Sequence, residues 1–133
     1  MIDVAVGIVL NQKNEVLIAL RQAGQSKAGF WEFPGGKLES GETGEHALIR
    51  ELEEEVNITP TEYQELGEFQ YNYQDIDLSV CLYVYVVKAY DGELKPLLNQ
   101  ALKWVDYHQL GQEKILEASK VFLPELTAML DKL

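Results

Sequence analysis

Between residues 35 and 58 the chain reads "GGKLESGETGEHALIRELEEEVNI", and the glutamates of this stretch are the residues whose type and spacing suit chemistry. Glu51, Glu54 and Glu55 stand at i, i+3 and i+4, which places their side chains on one face if the stretch is helical. Like charges at that spacing cost an isolated helix roughly 0.2–0.5 kcal/mol per pair. A merely structural face would interleave lysines, yet Arg50 is the only Lys or Arg between Thr43 and Val56. Clustered carboxylates offering only oxygen suit a hard divalent cation, Mg²⁺ with Mn²⁺ as a substitute, which would then neutralise the oxygens of a polyphosphate. The competing reading is an ordinary solvated acidic face, and spacing alone leaves both open.

The elements around this stretch have to position it. Ala47, Leu48, Leu52 and Val56 recur at helical spacing, so a helix is expected from Thr43, its N-cap, to about Val56. Asn57 tolerates the left-handed conformation that closes a helix, and Pro60 follows shortly after. Upstream, "IDVAVGIVL" and "EVLIALR" read as neighbouring strands joined by the turn "NQKN". In "SKAGFWEFPGG", Pro34 and two glycines end a short aromatic strand and leave a close, side-chain-free approach to the helix. Downstream, "YQELGEFQYNY", "DLSVCLYVYVV" and "LKWVDY" read as strands, with "YDGELKPLLNQ" as the longest loop. The tail from about Val121 to Leu133 reads as a second amphipathic helix, with Pro124 in its first turn. Helices arriving singly between strands predict an α/β fold, an α/β/α sandwich around a mixed β-sheet.

At 133 residues, 47% of them hydrophobic, the chain is expected to form one domain over residues 1–133. No apolar run approaches the ~20 residues of a membrane span, and "MIDVAVGIVLNQ" lacks the basic start and cleavage site of a signal peptide, so a cytoplasmic location is expected. Cys81 is the single cysteine and reads as a packed, reduced thiol. The net charge of −11, with scattered basic residues, disfavours long nucleic acids and anionic membranes as partners. A small anionic ligand remains compatible if divalent cations stand between its phosphates and the carboxylates.

The pattern Gly36, five residues, Glu42, seven residues, then Arg50-Glu51-Leu52-x-Glu54-Glu55-x-Asn57-Ile58 resembles the Nudix box. That box marks hydrolases that cleave nucleoside diphosphates linked to another group. One position departs: Asn57 stands where the family usually has glycine, a replacement suited to a helix end. "AVGIV", "ALRQ", "WEFPGGKLESGET", Trp104 and the chain length are similar to the MutT-like branch over essentially the whole chain. The resemblance implies a catalytic loop-helix-loop and hydrolysis of a nucleoside triphosphate to monophosphate and pyrophosphate, in the service of nucleotide-pool sanitation.

Carried over by position, the resemblance makes Glu51, Glu54 and Glu55 ligands of Mg²⁺, with Gly36 adding its backbone carbonyl. Arg50 and Glu42 would form an orienting ion pair, Lys37 would lie near the phosphates, and Arg21 and Phe33 would contact the nucleotide. Glu51 is the expected proton acceptor for a water attacking the β-phosphorus. Two positions depart from the branch. "KPLLNQALKW" carries Leu98, Asn99 and Gln100 where a loop glutamate is usual, so Asp91 or Glu93 would replace it only if the loop folds back. Ser119 stands where enzymes preferring oxidised guanine carry an asparagine, and a hydroxyl has less pairing capacity than an amide. An 8-oxo-dGTP-like purine substrate and a cytidine or modified pyrimidine nucleotide therefore compete.

Other residues are weaker candidates. In "DLSVCLYVYVV" the alternation puts Leu78, Val80, Leu82 and Val84 on a core face and Asp77, Ser79, Cys81 and Tyr83 on the other, from which Asp77, Ser79 or Tyr83 would line a base pocket. His46 and His108 are too isolated to read as a metal pair, and Trp31 and Trp104 read as core. The rival from another class is a nucleotide-sensing module without turnover, whose mark would be lost box carboxylates, and none is lost. Monomer and homodimer are both compatible with the sequence.

Overall fold

The computed structural model describes residues 1–133. Its strands are β1 (Ile2–Val9), β2 (Glu15–Leu20), β3 (Trp31–Glu32), β4 (Gly35–Lys37), β5 (Thr59–Tyr73), β6 (Leu78–Asp91) and β7 (Leu102–Asp106). Its helices are α1 (Gly44–Val56), α2 (Glu117–Lys120) and α3 (Leu123–Leu130), with a 3-10 helix at Tyr107–Gln112.

A four-stranded mixed sheet has the order β4-β1-β6-β5, with β1 and β6 parallel and the other pairs antiparallel. A second, antiparallel sheet has the order β3-β2-β7. β1 and β2 therefore do not lie side by side in one sheet, contrary to the sequence expectation, although the turn read in "NQKN" is present. Only the Leu10–Val16 bridge joins them, and the chain passes to the other sheet there. The two glycines after Pro34 likewise do more than end a strand. Gly35 and Gly36 themselves form β4 against β1, with Gly35 at φ 149° so close to the Ala5 carbonyl that a Cβ would collide with it.

Alternation along β1 and β6 explains the layers. Ala5, Val9, Tyr85 and Val87 face one way and are buried with Ala47, Leu48, Leu52 and Val56 of α1. Val6, Ile8, Val80, Leu82, Val84 and Val86 face the other way and are buried with Phe122, Leu126 and Leu130 of the C-terminal helices. The sheet is covered on both faces, as the α/β/α expectation requires. Gly7 lets α1 lie close, since a Cβ there would stand 3.1 Å from Leu48 and 3.2 Å from Leu52. No helix is long and apolar enough to cross a membrane.

Helix α1 ends where its sequence says it should. The Thr43 side chain accepts from the His46 N–H at 3.2 Å, and Asn57 closes the helix at φ 64°. Pro124 sits in the first turn of α3, where the N–H it lacks has no helical partner. The helix expected from about Val121 is α3, Leu123–Leu130, and the short helix α2 precedes it.

Candidate active site

Arg50, in the middle of α1, is the hub of the acidic cluster. Its Nε and Nη2 donate to the two carboxylate oxygens of Glu42 at 2.7 and 2.9 Å, and Nη2 also donates to the Lys37 carbonyl at 3.0 Å. Nη1 reaches Glu51 at 2.9 Å and Glu54 at 3.2 Å. The Arg50 hydrogen bonds, first, and the Glu39 N–H, second, hold the Glu42 carboxyl down at about 2. One guanidinium thus fixes the loop before α1 and the end of β4 to the carboxylate face of the helix.

Of the three expected ligands, Glu51 and Glu55 are turned inward and Glu54 outward. Glu51 is wedged against Gly36, where an added Cβ would lie 2.6 Å from its carboxyl carbon, so the missing side chain makes the cradle. Glu55 accepts from the Gly35 N–H at 3.2 Å. Burial pushes the Glu55 carboxyl well above the usual carboxylate range; the Gly35 N–H opposes this, and the charges of Glu51 and Glu32 add to it. Glu54 has a 60% exposed side chain and rests on Arg50. No three acidic, His or Cys groups converge as a ready-made metal cluster. The donor chemistry nevertheless fits a hard divalent cation. Two carboxylates crowded beside a side-chain-free backbone offer oxygens alone, and a cation would favour the charged form of Glu55 that burial, first, and the neighbouring carboxylates disfavour.

Part of this cluster lines a cavity of about 820 Å³. Gly35, Gly36, Lys37 and Glu55 form its polar end, while Ile2, Val4, Leu78, Val80 and Leu82 supply an apolar wall. Arg21, Phe33 and Ser119, which the sequence offered as nucleotide contacts, line it as well. The Arg21 guanidinium is already engaged, donating to Glu32 at 3.1 and 3.3 Å and to the Ser26 carbonyl at 2.6 Å. Burial raises the Glu32 carboxyl above its usual range, and Arg21 pulls it back.

Asp77 stands apart from the other sequence candidates. It sits at φ 49° in the turn between β5 and β6, exposed and outside the cavity lining. The face of β6 that meets the cavity is the apolar one, because the opposite face is occupied by α1: a Cβ at Gly44 would lie 2.6 Å from the Tyr85 hydroxyl and 3.3 Å from Tyr83. Ser79 bonds Asn72 instead, at 2.6 Å. Trp31 and Trp104 pack against the two core clusters and do not line the cavity, and His46 is exposed.

The loop before β7 does fold back. The Lys95 and Leu97 N–H groups donate to the carbonyls of Val56 and Glu55 at 3.0 Å each, and Asn57 Nδ2 donates to the Glu93 carbonyl at 2.8 Å. Asp91 and Glu93 stay exposed, whereas Leu98 and Gln100 are brought beside Glu55. Glu32 and Gln100 are site residues that the sequence reading missed. Glu32 was signalled only by Arg21 needing an acidic partner, and Gln100 by being the one polar group of "LLNQALKW" able to turn inward.

Known proteins resemble this chain throughout. The NUDIX domain profile matches residues 1–126. The 8-oxo-dGTP diphosphatase of Escherichia coli K12 is 34% identical over 94% of this chain and 95% of its own length. The CTP pyrophosphohydrolase of the same organism is 33% identical over 97% and 93%. Among solved structures, a MutT from the study of Aliivibrio salmonicida and Vibrio cholerae superposes with a TM-score of 0.81 at 34% identity, covering 96% of this chain and 98% of that one. The E. coli ORF135 protein superposes at 0.84 with 31% identity, covering 97% and 90%.

Proposed function

Because the chain belongs to the NUDIX family, as a hydrolase of phosphoric anhydride bonds, we propose that it converts a nucleoside triphosphate to the monophosphate and pyrophosphate with Mg²⁺ bound at α1. One observation carries this reading: Glu55, Gly36 and Lys37 line the same cavity as the apolar wall of Leu78, Val80 and Leu82, and Glu51 is packed against Gly36. Phosphates held at the acidic end leave the base against the apolar wall, with Phe33 and Ser119 beside it.

Glu51 and Glu55, with the Gly36 carbonyl, would hold the cation, and Glu54 would join by turning off Arg50. The bound cation supplies charge neutralisation at the phosphoryl oxygens and a more acidic water. The chain's own part is positioning. Arg50 keeps the carboxylates in place, Lys37 faces the phosphates, and Arg21 holds the nucleotide end through its Glu32 pair. Water attacks the β-phosphorus, its proton passes to Glu51, and the bridging oxygen leaves with the monophosphate. We further propose that residues 1–133 act as one unit.

An 8-oxo-dGTP-like purine is the preferred substrate, because about 820 Å³ accommodates the larger base and the 8-oxo-dGTP diphosphatase relative spans nearly the whole chain. A cytidine or modified pyrimidine nucleotide is the second reading. It is favoured by Ser119, which lacks an amide's paired donor and acceptor, and by the similar likeness to a CTP pyrophosphohydrolase. The test is a panel of 8-oxo-dGTP, dGTP, dCTP, 5-methyl-dCTP, dUTP and a nucleotide sugar with Mg²⁺ at slightly alkaline pH. Highest kcat/KM on 8-oxo-dGTP supports the first reading and on a cytidine nucleotide the second; cleavage of the sugar nucleotide alone would contradict both.

A further inference from the structure

His108 stands between two carboxylates. Its Nδ1 lies 3.1 Å from Asp106 Oδ1, and its Nε2 lies 3.1 Å from Asp131 Oδ1. Asp106 ends β7 and caps the 3-10 helix, its Oδ1 also accepting the His108 backbone N–H at 2.8 Å. Asp131 stands at the C-terminal end of α3, and its Oδ1 also accepts the Tyr107 hydroxyl at 2.6 Å. The Tyr107 and His108 ring centroids are 4.0 Å apart, so the imidazole is backed by a ring that is itself bound to Asp131.

This geometry suits one protonation state. A neutral imidazole carries a single N–H, so it donates to one carboxylate and turns a lone pair toward the other, whereas the imidazolium donates to both. His108 is the one cationic partner of either carboxylate, with no lysine or arginine paired to them. The bond to Asp131 pushes the imidazole above its ordinary 6.5; desolvation opposes this, and the bond to Asp106 adds to it. Asp131 is held low in turn, by Tyr107 first and by His108 second. The helix so tied backs the large cavity: Leu126 and Leu130 of α3 are buried in one cluster with Phe33, Val80 and Leu82, which line it.

We propose that His108 is a proton-operated clasp, fastening the C-terminal end of α3 to the end of β7 while its imidazole is charged and letting go of Asp131 when the proton leaves. Asp106 and Asp131 are the charged groups that face the ring, one from each element it joins, and the Tyr107 hydroxyl acts on it through Asp131. The bond to Asp131 pushes that hydroxyl up to about 12, so it stays in place after His108 is neutral. Release therefore loosens the last turn of α3 without undocking the helix. The α1 carboxylates take no part, and the clasp is independent of the hydrolytic reading.

Stability linked to the charged form is fully present below pH 6.5 and is lost as pH rises through the raised folded value. The test compares the parent with His108→Gln and Asp131→Asn, both at exposed positions. In thermal unfolding the parent Tm is expected to exceed that of His108→Gln by roughly 1–3 °C at pH 6, a difference that closes by pH 9. Proton NMR titration is expected to place the His108 midpoint above 6.5 in the parent and to lower it in Asp131→Asn. At pH 6, amide exchange at Asp131, whose N–H is bonded to the Thr127 carbonyl, is expected to be roughly 2- to 5-fold faster in His108→Gln than in the parent. A parent His108 midpoint at or below 6.5, a Tm difference that ignores pH, or equal exchange at Asp131 would overturn the proposal. None of these measurements needs a nucleotide, so a failure of the hydrolytic reading leaves them intact.

Discussion

Arg50 and Glu42 are joined at two points, Nε to Oε2 at 2.7 Å and Nη2 to Oε1 at 2.9 Å, while the same guanidinium touches Glu51 at 2.9 Å. The fork matters more than the charge, because a single ammonium cannot reach both oxygens of Glu42 and the Lys37 carbonyl in one plane. Arg50→Lys is therefore expected to fold but to lose ~10-fold or more in kcat, with a smaller change in KM. Steady-state kinetics alongside circular dichroism check this, and full activity in a folded variant would show that the loop is held by other means.

The same pair has an acid limit. The folded value of Glu42, about 2, lies below the ordinary 4.5, so its contribution to stability is present above pH ~4.5 and is lost as pH falls toward 2. Urea unfolding of the parent and of Glu42→Gln is expected to show a difference in midpoint at pH 7 that closes as pH drops through that window. A difference independent of pH would contradict the pairing.

Adjacent glycines separate backbone need from site need. Gly35→Ala would force a Cβ onto the Ala5 carbonyl at a backbone angle L-residues avoid, and is expected to cost more than ~2 kcal/mol or to prevent folding. At Gly36 the neighbour is a side-chain end, the Glu51 carboxyl, 2.6 Å away. Gly36→Ala is expected to fold, with kcat down ~10-fold or more and weaker divalent-cation binding by calorimetry. Equal damage to folding in both variants would remove the cradle from the account.

Glu55 titrates in the opposite sense to Glu42. Its folded value is raised, mainly by burial, so the stability linked to its protonated form is fully present below pH ~4.5 and is lost as pH rises through the folded value. Cation-free protein is thus expected to lose Tm as pH rises above ~5, Glu55→Gln to lose less, and Mg²⁺ to restore more Tm at the alkaline end. Differential scanning calorimetry with chelator and with Mg²⁺ measures this directly; a Tm that rises with pH in the cation-free parent would oppose it.

What was legible in the sequence was what local chemistry fixes. Thr43 and Asn57 bounded α1 because capping is decided within a turn, and Leu48, Leu52 and Val56 marked its buried face because helical period is local. The Arg50 and Glu42 pair lies within the same short segment. Asp77 was misplaced as a pocket residue because the alternation was extended one residue past β6, into a left-handed turn where strand period no longer holds. The division of β1 and β2 between sheets, and the approach of Gln100 to Glu55, depend on pairings between segments distant in the chain, Ala101 with Leu20 and Leu97 with Glu55. No local period records those.

The central claim is that the α1 carboxylates direct water to a β-phosphorus. It is tested most directly by product analysis in ¹⁸O-labelled water, with ³¹P detection, on the best nucleoside triphosphate of the panel for the parent and Glu51→Gln. The account predicts monophosphate and pyrophosphate in equal amounts, the label in pyrophosphate, and at least ~100-fold slower turnover in a folded Glu51→Gln. Release of orthophosphate, label in the monophosphate, or near-parent turnover in Glu51→Gln would contradict it.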